Sequence, residues 1–141
     1  MAAKHILACV DFSEYSTRAL EEIGEYARAN QSKVTLIHVC DPQGFIPPQA
    51  VLEPVSATDA KAHEAELAKL RSAHLDGLEV ELAVVQDHAP AKAICDYAEA
   101  HAVDLIVIGS HGRGGMERWL IGSVAERIVR HSPVNVYVVR R

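Results

Sequence analysis

Five short runs rich in valine and isoleucine, at residues 5–10, 33–39, 78–85, 104–109 and 134–139, alternate with segments of helical period. The first and fourth runs are almost continuously apolar, which means that both faces of those strands are covered, as in a parallel sheet. The intervening segments carry apolar residues one helical turn apart. Leu20, Ile23, Tyr26 and Ala27 share one face, and Leu67, Leu70 and His74 a second. Ile94, Ala98 and Ala102 form a third, with Pro90 suited to a first helical turn, and Val124, Ile128 and Val129 a fourth. The order β-α-β-α-β-α-β-α-β with right-handed crossovers predicts an α/β fold. It is a three-layer, doubly wound, five-stranded parallel sheet with strand order 3-2-1-4-5. The 141 residues suffice for one domain with its own core, read as spanning 1–141.

In such sheets ligands sit beyond the carboxyl ends of the strands where the order reverses, here between the first and fourth strands. The first strand ends at Val10-Asp11, the fourth at Ile108-Gly109. Gly109-Ser110-His111-Gly112 follows the fourth strand, and after nine further residues Gly122-Ser123 opens a helical segment. Glycine allows close approach of backbone to a bulky anion, and a helix start presents unpaired N–H groups and a positive dipole end. The combination is a phosphate cradle. Two other phosphate loops are excluded: no Gly-Lys-Ser/Thr occurs, and the first strand is followed by Asp11-Phe12-Ser13 instead of a glycine fingerprint.

Charge points to a small anion. From Gly109 onward six arginines face Glu117 and Glu126, a local +4, so the rest of a chain of net charge −5 carries −9. An acidic body disfavours nucleic acid, and no run reaches the ~18 apolar residues of a membrane span. The early first strand leaves no room for a signal peptide, so the expected location is cytoplasmic. Cys9, Cys40 and Cys95 lack metal-ligand spacing and read as buried thiols, with a Cys9–Cys40 redox pair as the alternative. The histidines show no i,i+4 pair, which argues against zinc, and the expected metal-ligand set is empty. Residues 41–57 hold Pro42, Gly44, Pro47, Pro48 and Pro54; a loop this long is either functional or a tolerated insertion.

The motif Gly109-x-x-Gly112, nine residues, Gly122-Ser123 resembles that of the ATP-binding branch of the universal stress protein family. So do the opening Ile6-Leu7-Ala8-Cys9-Val10-Asp11-Phe12-Ser13, the strand ending Ile37-His38-Val39 and the closing Ser132-Pro133-Val134. The resemblance covers the whole chain and implies ATP, ADP or AMP as ligand, with Mg²⁺ or Mn²⁺ held mostly by phosphates and water. It implies that Asp11 contacts the ribose or orients the loop beside it, that Val39 meets adenine through its backbone, and that Cys9 and Val10 line that side. Ile108, Gly109 and Gly112 would hold ribose and phosphates, with Arg113 as an electrostatic neighbour. Gly122, Ser123, Val124 and Ala125 would receive phosphate oxygens. Phe12 stands where the family commonly has glycine, and Ala125 where it has a hydroxyl residue.

Several of these residues have structural readings as well. Asp11 or Ser13 suits a helix cap, and Ser123-Val124-Ala125-Glu126 fits the capping box S-x-x-E. Trp119 and Leu120 suit packing. Phosphoryl chemistry needs carboxylates, a positioned water and a positive group, and only Asp11 and Arg113 qualify. The reading is therefore a stress-response or regulatory nucleotide-binding protein. The alternatives are a slow ATPase or nucleotidyl-transfer enzyme and a dimeric scaffold without nucleotide. The last run, 134–139, is an edge strand without proline, a liability unless paired, and the resemblance implies a homodimer through it. The client protein is not encoded visibly.

Overall fold

The computed structural model describes residues 2–40, 57–111 and 121–140. Its elements are β1 (His5–Cys9), α1 (Glu14–Asn30), β2 (Lys33–Cys40), α2 (Ala57–His74), β3 (Val80–Gln86), α3 (Pro90–Ala100), β4 (Leu105–Gly109), α4 (Ser123–His131) and β5 (Asn135–Val139). The five strands form one sheet in the order β3-β2-β1-β4-β5, every pair parallel, as the sequence predicts. Among the described residues no helix is long and apolar enough to cross a membrane.

The strand alternation explains why β1 is apolar at nearly every position. Ile6 and Ala8 enter one core with Leu20, Ile23 and Ala27 of α1 and Leu67 of α2. Leu7 and Cys9 enter the opposite core with Ile94 and Ala98 of α3 and Ile128 of α4. Two helices therefore cover each face, and the central strands have no solvent side. The periodicity fails at three helix positions. Ala102 lies past the end of α3 with φ of 52°, Tyr26 of α1 is 36% exposed, and Val129 is 52% exposed, about 100° round α4 from Ile128.

Gly24 sits buried in α1 where that helix meets the end of α2. An added Cβ would lie 2.8 Å from the His74 backbone oxygen, a group that also accepts from Arg28 Nη2 at 3.2 Å. Alanine would gain about 1 kcal/mol of helix propensity. Overpacking against backbone, which cannot swing aside, costs about 1–3 kcal/mol. Gly24→Ala is expected to lower the urea midpoint; a midpoint at or above wild type would show that α1 and α2 part freely.

Candidate nucleotide site

β1 and β4 pair side by side, and the helices that follow them, α1 and α4, lie on opposite faces of the sheet. A cavity of about 290 Å³ opens at this point, near the lower end of small-molecule sites. Its walls include Cys9 of β1 with Val10 and Asp11 just after it, Val39 of β2, Ile108 and Gly109 of β4, and Gly122, Ser123, Val124 and Ala125 at the start of α4. Ten of the twelve residues singled out in the sequence are thus brought together. Gly112 and Arg113 lie outside the described residues, as do residues 41–56 of the long loop, Trp119 and Leu120.

Local bonding settles the capping alternatives. Ser13 is the N-cap of α1, its side chain accepting from the Ser16 N–H at 3.3 Å. Asp11 Oδ1 accepts from both the Ser13 N–H, at 2.9 Å, and the Ser13 hydroxyl, so the aspartate steadies the cap instead of making it. At α4 the cap is Gly122, and Ser123 is the first helical residue with no capping bond, so the capping box does not form. Glu126 instead pairs with Arg130 at 3.0 Å one turn along the helix. The Gly122 N–H donates to the Ser110 carbonyl at 2.7 Å, while Glu126 N–H returns to Gly122 O at 2.9 Å. The N–H groups of Ser123, Val124 and Ala125 therefore occupy the first helical turn, where no intrahelical acceptor exists.

On the opposite wall, β2 outlasts β1. Ile37 pairs with Cys9, and its carbonyl accepts from the Val10 N–H at 2.9 Å. Because a strand turns the same way every second residue, Val39 directs its own N–H and C=O to that side, past the end of β1. The cavity thus has Cys9, Val10, Val39 and Ile108 as apolar wall residues, between the end of β2 and the first turn of α4.

The cavity also holds residues the sequence argument did not assign to the ligand, among them Ser16, His38, Pro90, Ser110 and His111. Ser110 and His111 are buried, and the Ser110 hydroxyl meets His111 Nδ1 at 2.8 Å. Pro90 and Ile94 show that α3 forms part of the wall, which residue spacing does not reveal.

The cysteines are buried free thiols. Burial, then the neighbouring Cys95, pushes the Cys9 thiol far up from its ordinary value, so it is inert as a nucleophile. Cys9 belongs to the core on the α3–α4 face, whereas Cys40 meets His63 of α2 at 3.1 Å. The two thiols lie on opposite faces, which removes the Cys9–Cys40 redox pair.

Phe12 has φ of 64°, the left-handed region that glycine occupies without cost. Its ring packs against His38 (centroids 4.5 Å apart) and stacks on His63 (5.9 Å), contacts a glycine would forfeit.

A model of the universal stress protein family matches residues 2–140. The chain belongs to the universal stress protein family. A universal stress protein of Methanocaldococcus jannaschii is 30% identical over 98% of this chain and 82% of its own length. One of Thermus aquaticus is 29% identical over 97% and 98% respectively. Among solved structures, that of the hypothetical protein MJ0577 superposes with a TM-score of 0.80 at 26% identity, covering 100% of this chain and 98% of that one. An Archaeoglobus fulgidus universal stress protein in complex with dAMP superposes at 0.67 with 23% identity, covering 98% of each chain. A universal stress protein in complex with cAMP superposes at 0.72 with 24% identity, covering 99% of this chain and 98% of the other.

Proposed function

We propose that this universal stress protein binds an adenine nucleotide (ATP, ADP or AMP) and acts as a homodimeric regulatory or stress-response protein of the cytoplasm. The observation that carries the reading is the cavity between Val39, near the end of β2, and the first turn of α4. Val39 C=O and N–H match the donor and acceptor that adenine presents on its amino-bearing edge. Cys9, Val10 and Ile108 supply apolar walls for the base, and Asp11 stands on the ribose side. The N–H groups of Ser123, Val124 and Ala125, with the Ser123 hydroxyl, receive phosphate oxygens at the positive end of the helix dipole. Gly109, Gly112 and Arg113 complete this reading on the β4 side. That relatives of this fold hold dAMP and cAMP is consistent with it.

A Mg²⁺ or Mn²⁺ ion accompanying the triphosphate would rest on phosphate oxygens and water, because Asp11 is the single carboxylate among the described residues of the wall. Such an ion neutralises phosphate charge; the chain's own residues bind and orient. Isothermal titration with ATP, AMP and GTP tests the reading, together with mass spectrometry of whatever nucleotide co-purifies. Saturable binding of adenine nucleotides over GTP is expected, and absence of binding to the native chain would leave a scaffold without nucleotide.

The dimer reading rests on β5. Val139 turns its backbone toward β4, where its carbonyl accepts from the Ser110 N–H at 2.8 Å. By alternation Val136 and Val138 turn theirs to the open edge, beside Tyr137, which is 50% exposed. Val136→Pro deletes an outward N–H while sparing the bonds to β4. Sedimentation at micromolar concentration should give a dimer for the native chain and a monomer for the variant. A native monomer would overturn the dimer.

A further inference from the structure

We propose that His38, Cys40 and His63 bind one zinc ion, at a site on the α2 face of the sheet that adjoins the nucleotide cavity. Each residue offers one ligand atom, and the three atoms lie within 4.8 Å of one another. His38 and Cys40 are two residues apart on β2, so they share a strand face. His63 reaches them from α2, its Nδ1 3.1 Å from Cys40 Sγ. Zinc–sulfur and zinc–nitrogen bonds of about 2.3 and 2.0 Å at a tetrahedral centre place donor atoms roughly 3.4–3.6 Å apart. From a cluster whose ligand atoms lie within 4.8 Å of one another, that geometry is a side-chain adjustment on the order of 1 Å away.

The surroundings match what a zinc site needs. His38 Nδ1 stands 2.7 Å from the Val10 carbonyl, and a ring nitrogen can bond a carbonyl only as donor. This fixes the tautomer, puts the neutral ring's lone pair on Nε2 and orients the ring, the usual outer partner of a ligating histidine. Phe12 covers both rings, accounting for a large side chain at a left-handed position.

The donor set selects the ion. One thiol and two imidazoles suit a borderline-soft ion, and offer no carboxylate or carbonyl oxygen for Mg²⁺ or Ca²⁺. Three protein ligands leave a fourth tetrahedral position for water. Binding replaces the proton on the Cys40 sulfur, which passes to solvent, so affinity rises with pH. His38 also lines the nucleotide cavity, which places the ion beside the ligand proposed above. The site itself requires no nucleotide.

The test uses the reduced full chain without a polyhistidine tag, stripped of metal and free of nucleotide, so that its outcome is independent of ATP binding. Competition with a chromophoric chelator should give one Zn²⁺ per chain. Co²⁺ should develop a thiolate-to-metal charge-transfer band in the near ultraviolet. Cys40→Ser should abolish that band, and His63→Gln should weaken Zn²⁺ binding by about 100-fold or more with an unchanged far-ultraviolet spectrum. His101→Gln, whose ring stacks on Tyr97, should bind as the native chain does. A cobalt band that survives in Cys40→Ser, native zinc affinity in His63→Gln, or no stoichiometric zinc in the native chain would each overturn the site.

Discussion

Gly122→Val is expected to weaken ATP binding by at least about 100-fold, roughly 3 kcal/mol, while the fold persists. Gly122 has φ of −63° and ψ of 152°, a conformation open to valine, so the substitution introduces no backbone strain. Its N–H already bonds Ser110, and valine keeps that donor. The φ angle therefore does not demand glycine here, and the proposed phosphate site supplies a reason for it. A Cβ and two methyl groups would stand at the mouth of α4, where a phosphate must come within hydrogen-bond distance of the Ser123, Val124 and Ala125 amides. Valine is a poorer N-cap than glycine, which should cost about 1 kcal/mol and a few degrees of Tm. Titration calorimetry checks the binding and thermal unfolding the fold. ATP binding at native strength in a folded Gly122→Val chain would remove α4 from the phosphate site.

Leu7→Ala should be the most damaging of the core truncations to stability, at about 3–5 kcal/mol from a total on the order of 5–15 kcal/mol. Leu7 is fully buried in the central strand β1, within the core formed by Ile37, Ile94, Ile106 and Ile128. Neighbours on both sides are held by strand pairing, so the cavity cannot close by collapse. Val129→Ala, on the exposed face of α4, should cost less than about 0.5 kcal/mol. Urea denaturation compares the two. Equal losses would mean that the layered burial does not set the stability.

The contrast between Ser123 and Ser13 shows how far local sequence carries. Both stand at a helix start, and Ser123 has the better capping-box pattern, yet Ser13 caps its helix and Ser123 is already inside its own. The Gly122–Ser110 bond anchors the chain one residue earlier than the pattern supposes, so the helix starts at Ser123. The pattern is blind to that long-range bond. The His38–Cys40–His63 group escaped for a related reason. A search at helical spacing finds no histidine pair, whereas the strand brings positions 38 and 40 to one face and the packing of α2 adds position 63. The i,i+2 signal in His38-Val39-Cys40 was present, and it has meaning only once those residues are known to be a strand.

The order of elements and the parallel sheet were written in the chain itself. Burial on both faces requires unbroken apolar runs, and those are visible in the sequence. Only the tertiary structure decided which polar groups meet. β2 outlasts β1 and brings Val39 to the cavity, α3 supplies Pro90 and Ile94 to its wall, and α2 carries His63 to Cys40. Those encounters depend on where strands end and how helices lie across them, distances set by packing between residues far apart in the sequence.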